Sequence, residues 1–172
     1  MKKATMTGLV FLLNLLAVPL FAQSLNDVFG LWKTIDDETG KAKSVILVYK
    51  YQDTLYGRIV MTLDDNELPK DTWDKPTERA EEMPDKPFYS GLDMIWDMEP
   101  RGDKWAKGKI CDPAKGKVYG CEISYDAARG ELMVRGKIGP FGRNQFWQKV
   151  QPADLPAGFT IPENPVPSIP RT

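Results

Sequence analysis

Few side chains in this 172-residue chain are of the kind that does chemistry, and histidine is absent altogether. That removes the commonest general base and the commonest metal ligand. The candidates are the acidic run Asp36-Asp37-Glu38, the turn residue Asp112, Arg135 and Arg143, and the two cysteines. Three adjacent carboxylates offer oxygens to a hard cation or to an acid–base pair. Thr39-Gly40-Lys41 follows at once, however, and a solvated turn is the plainer reading. Asp112 opens Asp112-Pro113-Ala114-Lys115-Gly116, where an aspartate bonds the backbone of its own loop. An enzyme built from these parts would use Asp36 or Asp112 with Arg135 or Arg143 as electrophile. No nucleophile and base stand at usable spacing. The expectation is a non-enzymatic protein with no cofactor and no metal.

Binding has more to work with than catalysis. Trp32, Tyr56, Trp96, Trp105, Tyr119 and Trp147 are numerous enough to line a pocket, although aromatic residues also fill small barrels, and core filling is the simpler use. Arg135 sits between Val134 and Gly136. Alternation points it outward, while a bulge at Gly136 would turn it toward a cavity and an anionic group.

The elements that must position these residues are strands. Trp105 to Trp147 holds three apolar segments separated by two turn clusters, 112–116 and 126–130, in which Pro113 presets φ and Gly116 permits a positive φ. Gly139-Pro140-Phe141-Gly142 makes a third corner. The expected strands are 30–36, 44–51, 55–62, 93–98, 104–111, 117–125, 131–138 and 144–150. Eight short strands with no crossover helix predict an antiparallel up-and-down barrel, because closure removes the exposed edges.

Within the barrel, Tyr119, Cys121, Ile123, Tyr125, Leu132, Val134 and Ile138 should face inward. With Ala106, Gly108 and Ile110 inward as well, Ile110 pairs with Tyr119 and leaves 113–116 as the loop. Cys111 then points outward and Cys121 inward, which disfavours a Cys111–Cys121 disulfide even in an oxidising compartment. Leu25 to Phe29 reads as one helical turn capped by Ser24. Residues 63–87 form a long surface loop with a short helix around 77–83, either a lid or a mobile excursion. The proline-rich tail 152–172 should wrap extended over the surface or be disordered.

Length bounds the rest: one domain over 23–151. Lys and Arg number 23 against 24 acids, interleaved, so nucleic acid is not an expected partner. Lys2 and Lys3 precede an apolar run from Leu9 to Leu20, broken by Pro19 and ending in Leu20-Phe21-Ala22. Residues 1–22 read as a cleaved signal peptide. No cysteine follows the run, so the mature chain should be unanchored, without stable membrane insertion, and periplasmic or secreted.

Several segments together resemble one family of exported bacterial proteins, the domain of unknown function 2147. They are Gly30-Leu31-Trp32-Lys33-Thr34-Ile35-Asp36-Asp37-Glu38-Thr39-Gly40-Lys41, Tyr56-Gly57-Arg58-Ile59, Gly91-Leu92-Asp93, Gly108-Lys109-Ile110 with Asp112-Pro113, Gly116-Lys117 and Tyr119, Val134-Arg135-Gly136, and Gly142-Arg143 with Trp147. The resemblance implies a lipocalin-like barrel and brings no catalytic residues. Gly30-x-Trp32 also looks like the lipocalin signature, which implies that Trp32 packs under an arginine near the last strand, with Arg143 the candidate.

Function then reads as an exported barrel that binds a small apolar or amphipathic molecule. The alternative is a structural or partner-binding envelope protein with a filled core, using the tail or residues 63–87 as its contact surface.

Overall fold

The computed structural model describes residues 25–172. The expected signal segment 1–22 and the capping Ser24 lie outside the described residues. Nine strands follow one another: β1 (Gly30–Ile35), β2 (Ala42–Tyr51), β3 (Thr54–Leu63), β4 (Pro69–Thr72), β5 (Asp93–Arg101), β6 (Lys104–Asp112), β7 (Lys117–Asp126), β8 (Glu131–Ile138) and β9 (Phe141–Lys149). Every neighbouring pair is antiparallel. The order β2-β1-β9-β8-β7-β6-β5-β3 is closed by β2–β3 pairing, and this makes an eight-stranded barrel. β4 hangs on the edge of β3 outside the ring.

The eight expected strands form the ring. β4 escaped the sequence reading because Pro69-Lys70-Asp71-Thr72 has no apolar alternation; pairing of Met61 with Thr72 and Thr62 with Asp71 makes it a strand. The helix expected around 77–83 is absent. Those residues instead fold back on 86–89, with Ala80 N–H donating to the Pro87 carbonyl (2.8 Å) and Tyr89 N–H to that of Glu78 (2.9 Å). The last corner is tighter than expected: Ile138 faces Phe141 across Gly139-Pro140, so β9 starts three residues early.

Two clusters divide the core by face. Trp32, Ile46, Val48, Leu55, Ile95, Ile123, Leu132 and Trp147 belong to one, inside the barrel. Leu31, Val45, Leu47 and Tyr49 belong to the other, outside it and covered by Trp73, Leu155 and Phe159. Period-two alternation on β1 and β2 is thus used twice, each face with its own apolar cover.

The register Ile110↔Tyr119 and the loop 113–116 are as expected. Two inward assignments are not. Lys107, at φ +63°, adds a residue to β6 so that Trp105 faces Ile123 and Gly108 faces Cys121; this shift puts Trp105 in the inward position expected for Ala106. Ile138 is 68% exposed because it stands at the tip of the last hairpin, beyond the packed wall.

One end of the barrel is plugged. Residues 25–28 form a turn rather than a helix, with Phe29 N–H donating to the Asn26 carbonyl at 3.2 Å. Trp32 Nε1 donates to the Val28 carbonyl (2.8 Å), Trp105 Nε1 donates to the Leu25 carbonyl (3.0 Å), and Phe29 meets Trp105 edge-on at 5.7 Å. After β9 the tail runs along the outside. Arg58 Nη2 donates to the Val166 carbonyl (2.8 Å), Ser168 N–H donates to Asp93 (2.7 Å), and Trp73 Nε1 donates to the Thr160 carbonyl (3.1 Å).

Candidate functional site

The half of the barrel nearest the plug is filled with side chains; the other half is hollow. A cavity of about 840 Å³ opens between the 36–41, 64–92, 113–116 and 139–140 connections. Its deep wall is apolar: Ile59, Met94, Ile110, Val134 and Trp147, with Tyr119 beside them. That volume lies in the range of small-molecule sites.

Above the apolar wall runs a band of uncharged polar groups. Thr34, Ser44 and Thr62 occupy matched positions on β1, β2 and β3 (Thr34↔Ser44↔Thr62) and line the cavity. Thr34 and Ser44 share a hydroxyl–hydroxyl hydrogen bond of 2.8 Å, and the Ser44 N–H donates to Thr34 Oγ1 at 3.1 Å. Thr62 Oγ1 is buried with no partner. On β9, the neighbour of β1, Gln145 donates to Asp37 (3.1 Å) and accepts from Trp147 Nε1 (3.4 Å).

Charge is confined to the rim, where each lining ion is occupied. Arg143 pairs with Asp37 (2.8 Å), Lys115 with Asp112 (3.0 Å), Lys43 with Asp65 (3.2 Å), and Glu78 with Lys70. Asp36 accepts from the backbone N–H groups of Thr39 (2.7 Å) and Glu38 (3.0 Å); the Thr39 bonds chiefly hold its carboxyl below the usual range. Tyr89 also lines the cavity, and burial, then Asp112 and Glu78, push its phenol above the ordinary value. It therefore stays a neutral donor at physiological pH.

Of the residues expected to bind a ligand, the cavity takes Tyr119 and Trp147. Trp32 and Trp105 belong to the plugged end, and Trp96 is buried in the inner cluster away from the cavity lining. Tyr56 packs outside against Tyr49 (5.8 Å) and Tyr51 (6.4 Å). Arg135 keeps regular register with Glu122, with no bulge at Gly136, and donates to Asn144 Oδ1 on the outer wall at 2.8 Å. The acids and arginines named for catalysis do not converge: Asp36 and Asp112 are held by their own turns, and Arg135 and Arg143 have separate partners.

The expected contact between Trp32 and Arg143 is not made. Arg143 is at the mouth and 73% exposed, whereas Trp32 is paired on β9 with Lys149, six residues further along the strand. At about 3.4 Å per residue that is roughly 20 Å. Lys149 Nζ lies 4.3 Å from the Trp32 ring centroid and donates to the Phe29 carbonyl at 3.3 Å. The cation at the closed end is a lysine.

The cysteines are both free and both buried. Cys121 stands opposite Gly108, three positions from Cys111, or about 10 Å along the strand and too far for a disulfide. Cys111 alternates away from Ile110 and is still buried, in a cluster that includes Ala80 and Met83 of the 64–92 segment. Burial pushes its thiol up to about 12.

The polar band was missed because Thr34, Ser44 and Thr62 are common strand residues far apart in sequence, and only the β1–β2–β3 register brings them together. Glu78 and Tyr89 were missed because the segment holding them has no periodicity. The alternation of Thr62 with Met61 was the one usable signal.

An eight-stranded antiparallel ring, plugged at one end and hollow at the other, defines a lipocalin-like barrel. The chain belongs to the family described as "Uncharacterized protein conserved in bacteria (DUF2147)", which matches residues 30–149. It is similar in fold to a solved Helicobacter pylori structure, described as "Protein HP1028 from the human pathogen Helicobacter pylori belongs to the lipocalin family". The TM-score is 0.58 at 16% identity, over 73% of this chain and 84% of that one. No curated protein matches it.

Proposed function

We propose that the chain is an exported, non-enzymatic barrel that binds a small apolar or amphipathic molecule in its mouth. The observation that carries this reading is the hollow half itself. An apolar cavity of about 840 Å³ persists inside a fold whose other half is packed solid, and it is topped by a polar band and a paired-charge rim. Hollow apolar volume costs stability unless it is used, since its lining loses the contacts that packing would supply. Ile138 and Phe141, 68% and 79% exposed, stand at the rim and give an apolar approach to the opening. Export is supported by Lys2 and Lys3 ahead of the run Leu9 to Leu20.

The test is displacement of an apolar fluorophore, N-phenyl-1-naphthylamine, alongside native mass spectrometry of protein purified from its own host. Val134 is buried and lines the cavity, so Val134→Trp thrusts an indole into its deep end. Binding should fall at least about tenfold in that variant while the strand signal in circular dichroism persists. Equal binding by parent and variant, or no binding by the parent, rejects the reading.

A further inference from the structure

The open end of the barrel is electrically lopsided. Going round the ring β1-β9-β8-β7-β6-β5-β3-β2, the β3–β5 connection stands diametrically across from the β8–β9 hairpin. That connection, residues 64–92, carries nine acids against four basic residues. The hairpin side is the reverse: residues 113–121 and 132–148 hold Lys115, Lys117, Arg135, Lys137 and Arg143, and not one acid. β7 pairs with β8 in the register Gly120↔Lys137, so Lys115 and Lys117 rise beside the hairpin. Neighbouring acids neutralise this charge only in part. Lys104 and Lys137 share the one carboxylate of Glu122, Arg135 is bonded to the neutral Asn144, and Arg143 holds Asp37 while its side chain is 73% exposed.

At the tip of this basic side stand Ile138 and Phe141, the two most exposed large hydrophobic residues among those described. They face each other across Gly139-Pro140, and Pro140 is exposed as well. Gly139, at φ +56°, has nothing within 4 Å of where a Cβ would be, so the tip stands clear of the rest of the chain. Pro140 fixes its own φ and keeps the two-residue turn stiff, which leaves little conformational entropy to lose when the tip meets a partner. An apolar tip with cations one or two residues behind it fits a surface that is anionic outside and apolar just beneath. A bilayer of anionic phospholipid has that order of depth. Two copies of the hairpin meeting tip to tip would instead bring like charges together.

We propose that the β8–β9 hairpin docks the barrel peripherally on an anionic phospholipid bilayer. Ile138, Pro140 and Phe141 enter the boundary of the acyl region, and Lys117, Arg135, Lys137 and Arg143 stay at the level of the phosphates. The acidic 64–92 side is repelled and turns away, so the barrel leans on one edge of its opening. Ile138 and Phe141 also line the cavity, which brings its entrance against the lipid surface. No strand crosses the membrane in this mode, and raised salt reverses it.

The test is co-sedimentation of the mature chain with vesicles of phosphatidylcholine, alone or with about 30% phosphatidylglycerol, at low and high salt. At low salt the parent should partition onto the anionic vesicles at least about tenfold better than onto the neutral ones, and high salt should abolish the difference. The double variant Ile138→Ser/Phe141→Ser should lose about tenfold or more, and Arg135→Gln/Lys117→Gln about tenfold. Leu68→Ser, which removes an exposed apolar residue from the acidic side, should sediment like the parent. Circular dichroism and melts establish that each variant is folded. Absence of sedimentation, equal sedimentation on both vesicles, or a hairpin variant that matches the parent overturns the proposal, as does an equal loss in Leu68→Ser. A dimer in sedimentation velocity that only the hairpin variant breaks, with no vesicle binding, assigns the tip to a second copy and overturns it too. No cavity ligand enters the assay, so fluorophore binding without vesicle binding overturns this proposal alone, and vesicle binding without fluorophore binding removes only the cavity reading.

Discussion

Trp32 shows how a residue's role follows from its cross-strand partner rather than from its type. Its ring is fully buried, its indole N–H is satisfied by Val28, and the charge over its face comes from Lys149. Truncation of Trp32 to alanine should cost about 3–5 kcal/mol, because a large side chain leaves a cavity in the filled half. Lys149→Ala should cost about 0.5–2 kcal/mol, the range of a cation–π contact, and Arg143→Ala should stay within about 0.5 kcal/mol as an exposed rim residue. Denaturant melts of the double mutants separate the two partners. Trp32 and Lys149 should be non-additive, and Trp32 with Arg143 additive. Coupling to Arg143 instead would contradict the closed-end geometry.

Among the elements, the outer wall is tied together by two charge clusters. Asp93 on β5 is fully buried and takes both Arg58 Nε (2.9 Å) and Nη2 (2.6 Å) from β3, the Tyr49 hydroxyl from β2 (2.8 Å), and the tail's Ser168 N–H. Asp93→Ala leaves the largely buried guanidinium unpaired and should cost about 3–5 kcal/mol. It should also free the tail, read as faster proteolytic cleavage within 160–172 than within the barrel; a tail no more sensitive than in the parent would show that Asp93 does not hold it.

The second cluster joins β6, β7 and β8, where Glu122 accepts from Lys104 and Lys137, each at 2.7 Å. Those bonds lower the Glu122 carboxyl to about 2. A depressed folded-state value means the contribution is complete above about pH 4.5 and is lost as pH falls toward 2. The lysines are 41% and 37% exposed, so solvent screening keeps it under about 1 kcal/mol. The stability gap between parent and Glu122→Gln should therefore be present at pH 7 and vanish near pH 2. A gap constant across that window would place its origin elsewhere.

At the scale of the whole molecule, the barrel is two bodies in one ring: a packed half that supplies stability and a hollow half that encloses the cavity. Segment 64–92 belongs to the second. Ala80 and Met83 are buried, and Glu82 passes so close to Gly116, at φ +61°, that a Cβ there would collide with its backbone carbonyl. The 113–116 loop thus seats the wall segment that carries Glu78 and Tyr89. Ligand at a hundredfold excess over Kd should add about 2.7 kcal/mol to the unfolding free energy by mass action, and so raise the unfolding midpoint. Thermal melts with and without the fluorophore check this. A shift of the same size in Val134→Trp would place the site outside the cavity.

The strands, their turns and the Ile110↔Tyr119 register were legible in the sequence because they depend on local chemistry: period-two alternation, β-branched and aromatic content, and the turn residues Pro113, Gly116, Asp126 and Gly130. The family resemblance was legible for a related reason, since its motifs sit on those strands and turns. Three things were decided only by the tertiary structure. The partner of Trp32 depends on which residue of β9 faces β1, a long-range register that no local pattern encodes. The inward set on β6 depends on the one-residue bulge at Lys107, which reverses faces without leaving a composition signal. The site itself depends on closure: Thr34, Ser44, Thr62, Tyr89 and Trp147 come from five separate segments and share a surface only because eight strands meet edge to edge, and the space among them is the volume their side chains do not fill.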